Sequence, residues 1–317
     1  MAVTIFARPQ IRRLLRFGLT TANASQLASF YERAFDCRRL AFEQRCGSEF
    51  ESLTATGVAA ASVTLALGNE VIELLQFEKP GRPYPSGCSS FDLVFQHFAI
   101  VVTNIEEAFQ RLSTLAGWSS ITNDGPQHLP ASSGGVSAFK FRDPDGHPLE
   151  LLAFESHNVP PRWRAVAGAN LYLGIDHSAI SVSDSARSVH FYEELGLKVA
   201  AHHVNTGIEQ ERLDSVRQPH VEVTALRPMQ PSPHVELLCY RGIKHQHRST
   251  PRSNDVAATR LVFEASATDY AGADTQKPYA LQDPDGHHIL IVAPPTAATR
   301  TVSAAGEMGA IAVASNS

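Results

Sequence analysis

The sequence predicts an α+β protein built from four repeated units, each opening on a strand. Three observations carry that expectation. Asp143-Pro144-Asp145-Gly146-His147 recurs as Asp283-Pro284-Asp285-Gly286-His287, each copy lying between two apolar runs. An aromatic pair, Phe30-Tyr31 and then Phe191-Tyr192, sits in a helical stretch of each half. Ile72-Glu73-Leu74-Leu75 is matched by Val235-Glu236-Leu237-Leu238. Self-similarity at a long, fixed interval signals duplicated supersecondary units.

The elements follow in order. Leu14 to Thr20 reads as the first strand and carries Arg16. Asn23 is an N-cap for a helix over Ala24 to Ala34. The Glu73 strand follows, and a Pro/Gly-rich stretch from Lys79 to Gly87 ends the first unit. The second unit opens on His97, has the same type of cap at Asn104, and continues into an amphipathic helix from Ile105 to Leu115. Its hairpin runs from Val136 to Phe141 and from Leu149 to Phe154. In the Asp-Pro-Asp-Gly turn, Pro presets φ, Gly accepts positive φ and Asp bonds nearby amides.

The third unit repeats the pattern. His177 stands before Phe191 at the distance that separates Arg16 from Phe30, and Asp184 caps a helix over Ala186 to Leu195. The fourth opens on Arg260-Leu261-Val262-Phe263 and is trimmed. Its hairpin copy comes roughly twenty residues early, and Thr268 to Lys277 is short and Gly-interrupted for a helix.

Composition narrows the function classes. The 317-residue length suggests about two domains. With 43% hydrophobic and 19% charged residues, the chain reads as an ordinary globular protein. A net charge of -5 gives no electrostatic case for nucleic acid. No apolar run suits a membrane span, and the Arg-bearing start lacks the apolar core of a secretory signal. Cys37, Cys46, Cys88 and Cys239 form no CxxC and read as reduced thiols of a cytoplasmic protein. No P-loop, GxGxxG, GxSxG or HExxH motif is present, so nucleotide binding and triad hydrolysis have no support.

These motifs resemble the vicinal oxygen chelate superfamily, which includes glyoxalase I, extradiol dioxygenases, methylmalonyl-CoA epimerase and bleomycin-resistance proteins. The resemblance covers roughly residues 14–293. It rests on His97, His177, the Phe-Tyr helices, both Asp-Pro-Asp-Gly-His turns and the Glu-Leu-Leu strand ends. It implies βαβββ modules paired into two open cup-shaped sheets with helices outside, and metal ligands on the first and last strands of each module. The expected organisation is an N-terminal extension 1–13, a two-module domain 14–155, a linker 156–170, a second two-module domain 171–293 and a flexible tail 294–317. Each half is expected to close its own cup.

Mapped residue by residue, the resemblance gives the first cup Arg16, Glu73, His97 and Glu150. The second receives His177, Glu236, Arg260 and Leu290. Glutamates inside apolar strands need compensation. Two readings are open for the first cup. Glu73, His97 and Glu150 hold one divalent ion (Mn, Fe, Co, Ni or Zn), with Glu73 or Glu150 moving a proton and Arg16 holding an anionic substrate oxygen. Alternatively, Arg16 neutralises the carboxylates and no metal binds. In the second cup a His177–Glu236 pair with Arg260 nearby is expected to bind substrate, including a carboxylate on Arg260. His147 and His287 are expected to brace their hairpins.

By resemblance, the leading expectation is a metal-dependent lyase or isomerase acting on a small vicinal-oxygen substrate. A ring-cleaving dioxygenase and a non-catalytic small-molecule binder are the alternatives. Neither mapped cup offers the two histidines of a 2-His-1-carboxylate iron site. The expected partner is a small molecule, with no nucleic acid and no membrane, and the expected state is a monomer or homodimer.

Overall fold

The computed structural model describes residues 10–166, 168, 170–230, 233–245, 250–266 and 278–294. Module one comprises β1 (Ile11–Thr20), α1 (Ala24–Phe35), β2 (Arg38–Arg45), α2 (Ser48–Thr54), β3 (Ala60–Leu67) and β4 (Glu70–Phe77). Module two comprises β5 (Gln96–Val102), α3 (Ile105–Ser113), β6 (Ser119–Ser120), β7 (Gln127–His128), β8 (Val136–Arg142) and β9 (Pro148–Phe154). After α4 (Pro161–Val166), module three comprises β10 (Tyr172–Ser181), α5 (Ser185–Glu194), β11 (Lys198–Asn205), α6 (Ile208–Asp214), β12 (Val221–Arg227) and β13 (His234–Tyr240). Module four supplies β14 (Arg260–Ala265), β15 (Tyr279–Gln282) and β16 (His288–Val292). The stretch Thr268 to Lys277 and nearly all of the expected tail lie outside the described residues.

The caps act as their chemistry predicts. The side chains of Asn23, Asn104 and Asp184 accept from the backbone N–H groups of Gln26, Glu107 and Arg187, each filling a donor that the first helical turn leaves open.

Among the described residues, the strands form two open sheets. One has seven strands in the order β15-β16-β14-β1-β4-β3-β2; the other runs β11-β12-β13-β10-β5-β9-β8-β6 along its length, with β7 paired to β8. The expectation that each half closes its own cup is therefore corrected. Module one joins module four through antiparallel β1 and β14, and module two joins module three through antiparallel β5 and β10. The physical reason is that every module presents the same open edge, its first strand. Any pairing of modules satisfies the same kind of backbone ladder, so the repeat does not encode the partner.

Period-two alternation divides the central strands between a core face and a cup face. On β5, Phe98 and Ile100 enter the main core, while His97 and Ala99 face the cup. On β1, Phe17 enters that core, where its ring lies 5.4 Å from Phe98, and Arg16 faces the cup of its own sheet. The backs of the two sheets thus share one core with α1, α3 and α5.

The repeated turns lock the sheets together. His147 lies with Nδ1 2.8 Å from Asp143 and Nε2 2.9 Å from the carbonyl of Thr20 and 3.1 Å from that of Val256, both belonging to the other sheet's modules. Tyr31, of the helical aromatic pair, donates to Asp143 at 3.0 Å, and Thr21 donates to Asp145. The second copy does the same: Tyr192 donates to Asp283, Ser183 to Asp285, and His287 Nε2 lies 3.0 Å from the carbonyl of Ser181. The histidines thus brace more than their hairpins, tying each turn to the strand–helix junction of a module in the opposite sheet.

Candidate functional site

The two cups have the same backbone and different chemistry. Within the modules, Gly18 pairs with Glu73, Ala99 with Glu150, Ala179 with Glu236 and Val262 with Leu290. Where modules meet, Arg16 is opposite Val262 and Gly18 opposite Arg260; likewise His177 is opposite Ala99 and Ala179 opposite His97. Four equivalent positions therefore face each cavity. In one cup they hold His97, Glu150, His177 and Glu236; in the other, Arg16, Glu73, Arg260 and Leu290.

The expected convergence of Glu73, His97 and Glu150 does not occur, because Glu73 and Arg16 belong to the other sheet. Nor does Arg260 lie beside His177 and Glu236. His97 and Glu150 converge instead with His177. Their ligand atoms all lie within 4.8 Å of one another, and all three side chains are buried. His97 Nε2 is 3.3 Å and His177 Nε2 is 3.5 Å from the same oxygen of Glu150, while Glu236 is 3.6 Å from His177 Nε2. Donors bound to one ion at about 2.1 Å would lie about 3.0 Å apart at right angles and about 3.4 Å apart tetrahedrally. The observed spacings fall close to this range.

Electrostatics favour a cation here. Burial dominates at His97 and lowers its pKa, giving the neutral imidazole a metal needs. Both of its ring nitrogens are buried and, among the described residues, find no hydrogen bond of good geometry. Burial would raise the Glu150 pKa, but His177 and His97 outweigh it and hold the carboxyl well below its usual range. Burial likewise opposes charge on His177, yet Glu236, Asp176 and Glu150 together raise its pKa well above the ordinary value. A proton on His177 thus supplies positive charge that a divalent ion would supply in its place. Two nitrogens and two carboxylates form a mixed N/O donor set suited to Mn, Fe, Co, Ni or Zn.

Further residues complete the site. Asp176 lies 3.2 Å from His177 Nδ1 and receives a 2.9 Å bond from the Trp163 indole. It thereby orients His177 with Nε2 toward Glu150. A register shift between Ile175 and His177 lets the adjacent Asp176 line the same cavity. His234 Nε2 is 3.2 Å from Glu236, two residues along the same strand. Buried Lys140 bonds Asp214 at 2.7 Å, and Asp214 also receives Tyr240 at 2.8 Å and Gln210 at 2.6 Å. The cavity measures about 240 Å³, and Leu129, Leu152, Val223 and Leu238 are among its apolar walls.

Sequence reasoning missed Asp176, His234 and Lys140. Alternation along His234-Val235-Glu236 was the available signal for His234, since period two puts both side chains on one face. Lys140 stands opposite Glu150 in the β8–β9 ladder, which the hairpin register alone could have placed.

In the other cup, Glu73 is held by Arg16 at 3.0 Å, Arg45 at 3.0 Å and Ser62 at 3.1 Å. Burial raises the Glu73 pKa, but the two arginines outweigh it and leave the carboxyl below its usual value. Among the described residues, no group of three metal-ligating side chains meets there. The arginine-neutralised reading thus describes Glu73, while Glu150 stands with the histidines.

The chain matches the family described as Glyoxalase/Bleomycin resistance protein/Dioxygenase superfamily over residues 13–151 and again over 174–309. No curated protein matches it. Glyoxalase I from Zea mays is similar in fold, with a TM-score of 0.54 at 16% identity, covering 89% of this chain and 92% of that one. A point mutant of the maize enzyme gives 0.57 at 17% identity over the same shares of each chain. A putative dioxygenase from Bacillus subtilis gives 0.54 at 11% identity, covering 91% of this chain and 87% of that one. Identities this low establish likeness of fold alone. Among the described residues, no helix is long and apolar enough to cross a membrane. With two family matches spanning most of its length and two open cups of the corresponding modules, the chain belongs to the Glyoxalase/Bleomycin resistance protein/Dioxygenase superfamily.

Proposed function

We propose that the chain is a divalent-metal-dependent lyase or isomerase acting on a small vicinal-oxygen substrate in the cup formed by modules two and three. The observation that carries this reading is the convergence of His97, Glu150 and His177 donor atoms within 4.8 Å, with Glu236 flanking His177. His97, Glu150, His177 and Glu236 would hold the ion. When bound, it supplies Lewis-acid polarisation of a substrate oxygen. Glu236 is the residue suited to move a proton beside a carbonyl. Its side chain is 19% exposed against 7% for Glu150, and it shares a hydrogen bond with His234. Glu150 is held between two histidines and serves as ligand. Asp176 orients His177, while Lys140 adds positive charge behind Glu150.

A second reading has a specific observation in its favour. His97, His177 and Glu150 form a 2-His-1-carboxylate set, the donor set of non-haem iron oxygenases. Cups closed within each half would separate His97 from His177, whereas pairing of β5 with β10 brings both to one cavity. Metal content and oxygen consumption separate the readings. Purified protein should bind about one divalent ion per chain. Proton exchange or isomerisation of a 2-hydroxycarbonyl panel without oxygen uptake supports the lyase or isomerase. Oxygen uptake with a catechol panel supports the dioxygenase. Small-molecule binding without a bound ion would leave a binding protein.

A further inference from the structure

The other cup holds a feature that the proposed reaction does not use. Arg260 is 2% exposed and lines a cavity of about 540 Å³ with Arg16, Arg45, Glu73 and Leu290. Its guanidinium donates from its two terminal nitrogens to Thr20 Oγ1, the Ala258 carbonyl and the Ser253 carbonyl. All three acceptors are neutral. A guanidinium carries five N–H donors, and among the described residues no carboxylate is ion-paired with this one.

Among the described residues, Glu73 is the acid whose charge bears on Arg260, and it lines the same cavity. Arg16, Arg45 and Ser62 already engage both of its oxygens. At the fourth equivalent position, where the other cup has a carboxylate, stands Leu290. A buried cation therefore lies in a cavity where its counter-ion position is apolar. Buried charges in folded proteins are ordinarily compensated.

We propose that the cup of modules one and four is a second, metal-independent site that binds a small organic carboxylate with an apolar body. The carboxylate meets Arg260 and Arg16, and the body lies against Leu75, Leu290, Val292 and Phe50. A planar guanidinium matches a carboxylate through paired N–H donors. With Arg16, Arg45 and Arg260 against Glu73 and Glu49, the lining has a net charge suited to one negative charge.

The test uses the full chain treated with EDTA, with benzoate, butyrate and inorganic phosphate as calorimetric probes. Benzoate should bind saturably at one site at millimolar concentration, with the same affinity before and after metal removal. Phosphate should bind at least about tenfold more weakly. Leu290→Glu, which provides an internal counter-ion, should abolish benzoate binding and raise the melting temperature. Cys46 gives a readout that needs no variant, because it lines this cavity and is exposed while the other three cysteines are buried. Benzoate should slow its alkylation by iodoacetamide. Absence of saturable binding, a requirement for metal, preference for phosphate, or unprotected Cys46 would each overturn the proposal.

Discussion

The two cups separate what the backbone does from what the side chains do. Both join modules along antiparallel first strands in the same register, and both present four positions to one cavity. One fills them with two histidines and two glutamates, the other with two arginines, a glutamate and a leucine. The first set places convergent lone pairs around a point and calls for a cation. The second surrounds one carboxylate with guanidinium groups and, among the described residues, leaves another guanidinium without an ion-paired carboxylate. The scaffold fixes where four side chains meet; their identities decide whether an ion or an organic anion suits the space.

The largest expected effect tests that contrast directly. His97→Ala or Glu150→Gln should weaken divalent-metal binding by more than about 100-fold, since even outer-sphere partners commonly contribute 10–100-fold. Glu73→Gln, at the equivalent position of the other cup, should leave metal affinity unchanged. Equilibrium dialysis with metal analysis measures both, and equal losses in the two cups would erase the distinction.

Glu73→Gln should instead reduce stability. Removing one partner of a buried ion pair costs about 3–5 kcal/mol. Arg16 and Arg45 are partly exposed and can turn toward water, so about 2 kcal/mol is expected. Urea denaturation gives the value, and a change below about 0.5 kcal/mol would mean the carboxylate contributes no more than a typical surface residue.

Asp176→Asn sharpens the comparison inside the cup of modules two and three. An amide still fits the space but no longer supports charge and orientation on His177. Metal affinity should fall about tenfold with little loss of fold. Matching far-ultraviolet circular dichroism with unchanged metal affinity would remove Asp176 from its orienting role.

The smallest effect concerns the contact that holds the cups together. Both ring nitrogens of His147 face acceptors, a carboxylate on one side and two carbonyls on the other, which only the imidazolium satisfies. Burial opposes that charge, but Asp143 outweighs it and the pKa is raised. The brace therefore contributes fully below the unfolded imidazole value of about 6.5 and is lost as pH rises through the higher folded value. Wild type should exceed His147→Gln by about 1 kcal/mol at pH 6, with the gap narrowing in alkali. A gap that widens with pH would contradict a charged His147.

Each of the four units was legible because its signals are local. Caps at Asn23, Asn104 and Asp184, the Asp-Pro-Asp-Gly turns and the alternation around Glu73 and Glu236 depend on residues a few positions apart. His97, Glu150, His177 and Glu236 could be singled out one by one, as polar side chains at repeated places in apolar strands, with His177 and Glu236 expected in a separate substrate-binding cup. Their grouping was not. Which first strand pairs with which is decided by surfaces far apart in sequence: the shared core joining Phe17 to Phe98, and the turns whose His147 and His287 reach carbonyls of the opposite sheet. A repeated sequence offers the same edge four times, so only long-range packing can choose among the pairings. That choice put His97 beside His177 and left Arg260 in the cup of Glu73.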